Sequence, residues 1–284
     1  MTVFHRRTPA PPATMHTHSL AVGDTHLAVH TAGSGLPLLL LHAFPLDHSM
    51  WRWQEPLADH LRLIVPDQRG FGASDGLPQG IAEMADDAVA LLDALHVDEP
   101  AVVCGVSMGG YVAQHLAVRH PRRVRSLILV DTKLEADTPE ARVGRGELAA
   151  KVGRLGQAIL ADAMIPRLLA ASAEAAADPR RGEIEAALRQ MILAQPVATI
   201  QAALAALGAR PDMVEPLRGV RAPTLLVVGA EDAITPPECL ARAEQIFPAA
   251  RLLIVPGAGH LVPLESPAVF NAAVLEFLRE TAPR

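Results

Sequence analysis

Short, almost wholly apolar runs recur along the chain and alternate with longer stretches of helical character. Such runs are typical of strands buried on both faces of a parallel sheet. They predict strands over Pro37–Leu41, Leu61–Val65, Ala101–Val106, Ser126–Val130, Thr224–Val228 and Arg251–Val255. Helices are predicted near 53–60, 81–95, 109–120, 237–246 and 267–279. Strands that alternate with helices predict an α/β fold with a mostly parallel sheet and helices on both faces.

Two segments depart from this alternation. Ser19 to Thr31 alternates polar and apolar residues around Gly23-Asp24 and predicts a hairpin. Residues 132–216 carry only Ala-, Leu-, Arg- and Glu-rich helical patterns. We interpret them as a helical cap over the carboxyl edge of the sheet, where ligands bind in such folds. The core then comprises 17–131 and 217–284, and the proline-rich residues 1–16 form a disordered tail.

Composition narrows the function classes. The 284 residues are 50% hydrophobic, enough for one large core. The net charge of −6 comes from mixed acids and bases, which argues against a nucleic-acid or polybasic membrane interface. No apolar run approaches the roughly 18 residues of a membrane span, and the N-terminus lacks a secretory pattern. We expect a cytoplasmic protein whose partner is a small-molecule substrate; the composition indicates no particular oligomeric state.

A serine stands at a predicted junction between strand and helix. The sequence Gly105-Val106-Ser107-Met108-Gly109 follows an apolar run and precedes a helical stretch. A serine at such a turn adopts a strained backbone and exposes its hydroxyl. The first N–H groups of the helix favour negative charge at the same place. Ser107 is therefore the candidate nucleophile, which then needs a base, an acid and an oxyanion hole.

The candidate base and acid follow later strands. His260 ends the glycine-rich loop after the last strand, from which a side chain can reach the sheet edge. Asp232 follows the preceding strand and is the expected orienting acid. Its neighbour Glu231 competes for that role, and Asp131, at the end of another strand, is a wider alternative.

The oxyanion hole needs two backbone N–H groups aimed at the developing negative charge. Met108 supplies one by its position after the serine. Phe44 is the expected second donor, because Pro45 has no N–H. His42, in the same loop, is expected to be hydrogen-bonded rather than a second base.

The remaining polar motifs predict no cofactor. The turn from Asp67 to Asp75 fits neither a Walker loop nor a dinucleotide fingerprint, and no cluster has zinc spacing. Trp51, Phe71 and Met164 are candidate lining residues of a substrate pocket, with ordinary core packing as the alternative. The predicted cap carries many arginines, any of which could bind a substrate carboxylate: those at 142, 145, 154, 167, 180, 181, 189 and 210.

Several of these motifs together resemble the α/β-hydrolase family, in the family's order of serine, acid and histidine. The matching pieces are His42–Pro45, Asp67–Ser74, Gly105–Gly110, Gly229–Asp232, Gly257–His260 and Glu265–Pro267. The resemblance implies an eight-stranded, mostly parallel sheet with an inserted helical cap. It also implies a catalytic triad of Ser107, Asp232 and His260.

Within that family the chain is similar to 3-oxoadipate enol-lactonases, carboxylesterases and cofactor-free haloperoxidases. The loop His42-Ala43-Phe44-Pro45 differs from the Asn-Ser-Leu-Gly type typical of the enol-lactonases. The expected activity is therefore hydrolysis of a small-molecule ester or lactone, without metal or cofactor. The alternatives are perhydrolysis or carbon–carbon hydrolysis on the same triad, and a non-catalytic ligand-binding protein.

Overall fold

A computed structural model describes residues 15–247 and 249–282. In it, strands and helices alternate as the sequence predicts. The strands are β1 (His16–Val22), β2 (Thr25–Ala32), β3 (Pro37–Leu41), β4 (Arg62–Pro66), β5 (Ala101–Val106), β6 (Val124–Val130), β7 (Thr224–Gly229) and β8 (Ala250–Val255). They form one eight-stranded sheet in the order β1-β2-β4-β3-β5-β6-β7-β8. The pairs β1–β2 and β2–β4 are antiparallel and the others parallel. This confirms the predicted sheet.

The centre of the sheet is its most buried part. Every residue of β3 and β5 is buried, and Leu38 to Leu41 are at most 1% exposed. Each buried leucine contributes roughly 1.5–3 kcal/mol relative to an exposed one. The apolar runs therefore form the part of the core from which the loops at the carboxyl edge extend.

Eleven α-helices lie among the described residues. They are α1 (Ile81–Ala94), α2 (Met108–Arg119), α3 (Pro139–Leu155), α4 (Ala158–Leu168), α5 (Ala173–Ala176), α6 (Arg181–Ala194), α7 (Val197–Ala209), α8 (Val214–Leu217), α9 (Pro237–Ala243), α10 (Val262–Glu265) and α11 (Pro267–Glu280). Two 3-10 helices cover His48–Asp59 and Pro121–Arg123.

The element boundaries depart from the predictions in a few places. Strand β1 begins at His16, inside the predicted tail, because it pairs along its length with β2 up to Thr31. The rest of that predicted tail, apart from Met15, lies outside the described residues. The short helix α10 was not predicted, because a single turn has no periodicity to detect.

Helices α3 to α8 all lie between β6 and β7, and residues 132–216 contain no strand. That this helical segment is a separate cap domain stays a prediction. No single helix among the described residues is long and apolar enough to cross a membrane. Helices α6 and α7 reach the required length and hydropathy only when they are counted together, and the chain bends by 97° between them.

Candidate active site

Ser107 occupies a sharp turn between β5 and α2. Its φ of 51° lies in the left-handed region, which a serine adopts only where the surrounding structure enforces it. A Cβ on Gly105 would overlap the carbonyl oxygen of Gly109, so the strand and helix approach this closely only with glycine there. The Ser107 N–H donates to the carbonyl oxygen of Val130 at 2.9 Å. The turn thus holds a partly exposed hydroxyl at the carboxyl end of β5.

A chain of hydrogen bonds links Ser107 to His260 and Asp232. Ser107 Oγ lies 2.8 Å from His260 Nε2, and His260 Nδ1 lies 2.8 Å from Asp232 Oδ2. A carboxylate can only accept, so Nδ1 carries a proton and donates it. Nε2 then presents its lone pair to the serine hydroxyl. The structure therefore brings together the three residues proposed from the sequence, in the order that nucleophile activation requires.

The environment of Asp232 favours its charged form. Burial raises the pKa of this carboxyl, but the hydrogen bond and charge of His260 and two backbone N–H donors outweigh it, and the pKa is lowered. The hydroxyl and N–H of Thr235 donate to Asp232 at 2.8 and 2.9 Å, and the Ile234 N–H donates at 2.8 Å. Thr235 was not predicted; the signal that could have found it is the tendency of an aspartate side chain to accept from backbone N–H groups shortly after it.

The two competing acids bind elsewhere. Glu231 accepts hydrogen bonds from the N–H groups of Ala171 and Ser172 at 3.0 and 2.8 Å. It therefore joins the helical segment to the loop after β7. The side chain of Glu231 does not hydrogen-bond to His260 within the described residues.

Asp131 links the end of β7, which precedes Asp232, to the histidine loop, the segment Gly257–Leu261 that carries His260 and leads into α10. It accepts from the Gly229 N–H at 2.9 Å and from the Val262 N–H at 3.0 Å. Burial and the nearby charge of Asp232 raise the pKa of Asp131. Its two oxygens thus accept from backbone N–H groups at the end of β7 and at the start of α10.

Glu265 connects the histidine loop to the helical segment. Its two oxygens accept from the Gly259 N–H at 2.8 Å and the Ala170 N–H at 2.7 Å. In addition, the His260 N–H donates to Leu168 O at 2.9 Å, at the end of α4. This role was not predicted from the sequence, because one of the two partners, Ala170, lies 95 residues away along the chain.

The loop after β3 packs directly against the serine turn. Strand β3 neighbours β5, and a Cβ on Gly109 would overlap the carbonyl oxygen of Leu41. This contact brings the N–H of Phe44 to the same edge as the N–H of Met108 at the start of α2. Neither N–H donates to another group in the described part of the chain. An oxyanion hole needs two N–H groups in this unpaired state, and that these two form one stays a prediction.

His42 holds the shape of that loop. Its Nε2 accepts from the Gln68 N–H at 2.9 Å, and its Nδ1 donates to Ala43 O at 3.0 Å. Burial lowers the pKa of His42, so the imidazole is neutral. The residue acts as a hydrogen-bonded brace, as expected.

A cleft of about 470 Å³ lies next to the serine turn. It touches the site through Phe44, through Tyr111, whose N–H donates to Ser107 O, and through Thr235 beside Asp232. The other lining residues are Lys133, Asp137, Ala141, Gly144, Arg145, Leu148, Met164, Arg167, Leu204 and Ile234. Most of them come from the helical segment, so this segment supplies one wall of the cleft.

Comparison with known proteins agrees with this geometry. The model of the alpha/beta hydrolase fold family matches residues 37–267. The chain belongs to this family. It is 33% identical over 259 residues to the pimeloyl-[acyl-carrier protein] methyl ester esterase of Edwardsiella ictaluri, which covers 87% of this chain and 95% of that protein.

Solved structures resemble this α/β hydrolase over nearly its full length. A thermophilic esterase from Thermogutta terrifontis superposes with a TM-score of 0.89 at 38% identity, over 94% of this chain and all of that one (100%). The enol-lactonase of Burkholderia xenovorans LB400 gives a TM-score of 0.84 at 28% identity, over 92% of this chain and 100% of the other. Relatives of this hydrolase are thus named as esterases and lactonases.

Two of the predicted lining residues do not line the cleft of this α/β hydrolase. Trp51 is 2% exposed and packs near the ring of Phe270 in α11, with ring centroids 6.3 Å apart. Phe71 is fully buried and meets the ring of His42 edge-on. Both are therefore core residues that pack against other buried rings. Met164 does line it.

A second depression, also about 470 Å³, is lined by residues of α4 and α6 alone. None of its lining residues hydrogen-bonds to Ser107, His260 or Asp232. The cleft beside the serine turn is therefore the candidate substrate site.

One cluster in this α/β hydrolase has the residue types of a metal site. Ligand atoms of His30, His48 and Asp67 lie within 4.8 Å of one another. However, the two imidazoles stack at a centroid distance of 3.5 Å, so their in-plane lone pairs do not converge. Asp67 also accepts from the N–H groups of His48 and Ala73. The cluster fits a structural role better than a metal centre.

Proposed function

We propose that this α/β hydrolase cleaves a small-molecule carboxylic ester or lactone through an acyl-enzyme formed on Ser107. The observation that carries the proposal is the hydrogen-bond chain from Ser107 through His260 to Asp232, with 2.8 Å at each step. Relatives named as esterases and an enol-lactonase support the bond type.

The first half of the reaction forms the acyl-enzyme. His260 Nε2 takes the proton of the Ser107 hydroxyl while Oγ forms a bond to the carbonyl carbon. The carbonyl oxygen becomes an oxyanion, which the N–H groups of Phe44 and Met108 stabilise. One such donor is typically worth about 2.7–4 kcal/mol. The carbon–oxygen bond to the alcohol then breaks, and the alcohol leaves with the proton from His260.

The second half releases the acid. Water gives a proton to His260 Nε2 and bonds to the acyl carbon, and a second oxyanion forms at the same N–H groups. The bond to Oγ breaks, and Ser107 recovers the proton from His260. Asp232 stays ionised throughout and stabilises the imidazolium. The net reaction consumes one water and yields an acid and an alcohol.

The test is hydrolysis of p-nitrophenyl esters of increasing acyl length by the wild type, Ser107→Ala and Ser19→Ala. Ser19 is an exposed serine in β1 and serves as the matched control. We expect Ser107→Ala to lose at least about 10⁴-fold in kcat while it stays folded, since removing a nucleophile abolishes the acyl-enzyme route. Ser19→Ala should match the wild type.

Retained turnover in folded Ser107→Ala would overturn the mechanism. A folded wild type without ester or lactone turnover would overturn the proposed activity. The same assays with peroxide plus acetate, and with a vinylogous diketone, then distinguish perhydrolysis and carbon–carbon hydrolysis from a binding protein that turns over none of them.

A further inference from the structure

The cleft beside Ser107 carries more positive than negative side chains. Three of its lining residues are basic, Lys133, Arg145 and Arg167, and one is acidic, Asp137. The whole chain has the opposite balance, with a net charge of −6. The net positive charge of the cleft is therefore a local feature and does not follow from the overall composition.

The one acidic side chain of the lining is already neutralised. Asp137 accepts from Arg210 at 2.8 Å and from Arg145 at 2.5 Å, and Lys133 Nζ lies 3.4 Å from it. Burial raises the pKa of Asp137, but the hydrogen bonds from Arg210 and Arg145 lower it well below its usual range. Three cations thus share one carboxylate, and positive charge is left over.

Arg167 adds a positive charge that no acidic side chain among the described residues neutralises. Its side chain is exposed and forms no ion pair among the described residues. On α4 it lies three residues after Met164, and both residues line the cleft, as the i, i+3 spacing on one helix face allows. Its guanidinium therefore lines the cleft without an acidic partner in the part of the chain that the structure describes.

Apolar side chains make up most of the remaining lining of the cleft. Leu148, Met164, Leu204 and Ile234 line the cleft together with the rings of Phe44 and Tyr111. A short aliphatic segment would pack against them. A cleft lined by both cationic and apolar side chains suits a ligand with a carboxylate at the end of an alkyl chain, since guanidinium binds carboxylate through paired hydrogen bonds.

We propose that this cleft selects esters or lactones that carry a free carboxylate, bound by Arg167 in a cleft that Lys133 also lines. The inference rests on the proposed ester or lactone hydrolysis and names its substrate class. The positive cleft also attracts anions at a distance and raises their encounter rate, an effect that salt weakens.

The test compares matched pairs of esters in which a terminal methyl group replaces the carboxylate. On the acyl side the pair is monoethyl adipate and ethyl hexanoate; on the alcohol side it is 4-acetoxybutanoate and butyl acetate. We expect at least one anionic ester to exceed its neutral partner about tenfold in kcat/KM. Salt at 0.5 M should reduce this preference.

Arg167→Gln should remove most of that preference, because it should raise KM for the anionic ester much more than KM for its neutral partner. Arg122→Gln is the matched control, because Arg122 is an exposed arginine in the 3-10 helix Pro121–Arg123, outside the cleft. It should behave as the wild type.

Equal turnover within both pairs, or an equal loss for anionic and neutral esters in Arg167→Gln, would overturn the inference while leaving the proposed function intact. If no ester is turned over, the proposed function fails, and calorimetric titration with adipate and hexanoate decides the binding question. Arg167-dependent binding of adipate supports the carboxylate site, and its absence overturns it.

Discussion

At the scale of single residues, the choice among neighbouring acids depends on where each carboxylate finds donors. Asp232 accepts from Thr235, Ile234 and His260, whereas the adjacent Glu231 accepts from backbone N–H groups of the helical segment. Adjacent residues point in different directions, so only one of the two can orient His260.

Asp232→Asn tests this assignment. The amide would present a donor or a weaker acceptor to Nδ1 and disturb the tautomer of His260, and we expect kcat to fall about 10⁴-fold. Ester hydrolysis by the purified variant is the measurement. Glu231→Gln is the control, because its amide oxygen can still accept from Ala171 and Ser172, and it should keep kcat within about threefold. A larger loss in Glu231→Gln than in Asp232→Asn would assign the role to Glu231.

At the scale of elements, a buried ion cluster joins three parts of the helical segment. Asp137 lies between β6 and α3, Arg145 lies on α3, and Arg210 follows α7. The side chains of Asp137 and Arg210 are 2% and 3% exposed. Because both arginines hold one carboxylate, the cluster fixes the ends of α3 and α7 relative to each other.

Asp137→Asn should lower the free energy of unfolding by about 3–5 kcal/mol at pH 7, since it leaves the buried guanidinium of Arg210 without its carboxylate partner. The folded-state pKa of Asp137 is lowered, so its stabilising effect is full above the unfolded pKa of about 3.9 and is lost as pH falls below it. Urea unfolding at several pH values should give equal differences at pH 7 and 5 and a smaller one at pH 3.5.

The control for that measurement is Asp162→Asn. Asp162 is 64% exposed and pairs with Arg189 on the surface, so its loss should cost no more than about 1 kcal/mol. If the two variants lose the same stability, the Asp137 cluster contributes no more than a surface pair.

At the scale of the whole molecule, several buried histidines couple folding to pH. Burial lowers the pKa values of His30, His42 and His115. Burial also opposes the charge of His48, but its hydrogen bond to Asp67 outweighs this and raises its pKa. Three of these imidazoles therefore bind a proton more readily in the unfolded chain than in the folded one, and His48 binds it less readily.

The free energy of unfolding should consequently fall by about 1–3 kcal/mol between pH 7.5 and 5.5, because each of the three histidines contributes at most about 1.4 kcal/mol and His48 opposes them. A lowered folded-state pKa means that the unfolded chain binds the proton first, so stability is full above the unfolded pKa near 6.5 and is lost below it. Urea unfolding at both pH values is the measurement. His115→Gln should flatten the dependence, and the exposed His60→Gln should not. Stability that rises toward pH 5.5 would contradict the prediction.

Much of the fold follows from local patterns in the chain. The apolar runs of β3 and β5 begin and end where predicted, because strands buried on both faces need uninterrupted apolar residues. The turn at Ser107 is equally local, since Gly105 and Gly109 are required within a few residues of it. The order of strands and helices then indicates the family and nominates Ser107, Asp232 and His260.

Tertiary structure alone decided how distant side chains meet. Ser107 and His260 are 153 residues apart along the chain, and only the pairing of parallel strands brings their loops to one edge. The same packing turns Trp51 and Phe71 into core residues and leaves Arg167 at the cleft. Spacing along the chain cannot predict this, because the direction of a side chain depends on how its helix or loop packs against neighbours from other parts of the sequence.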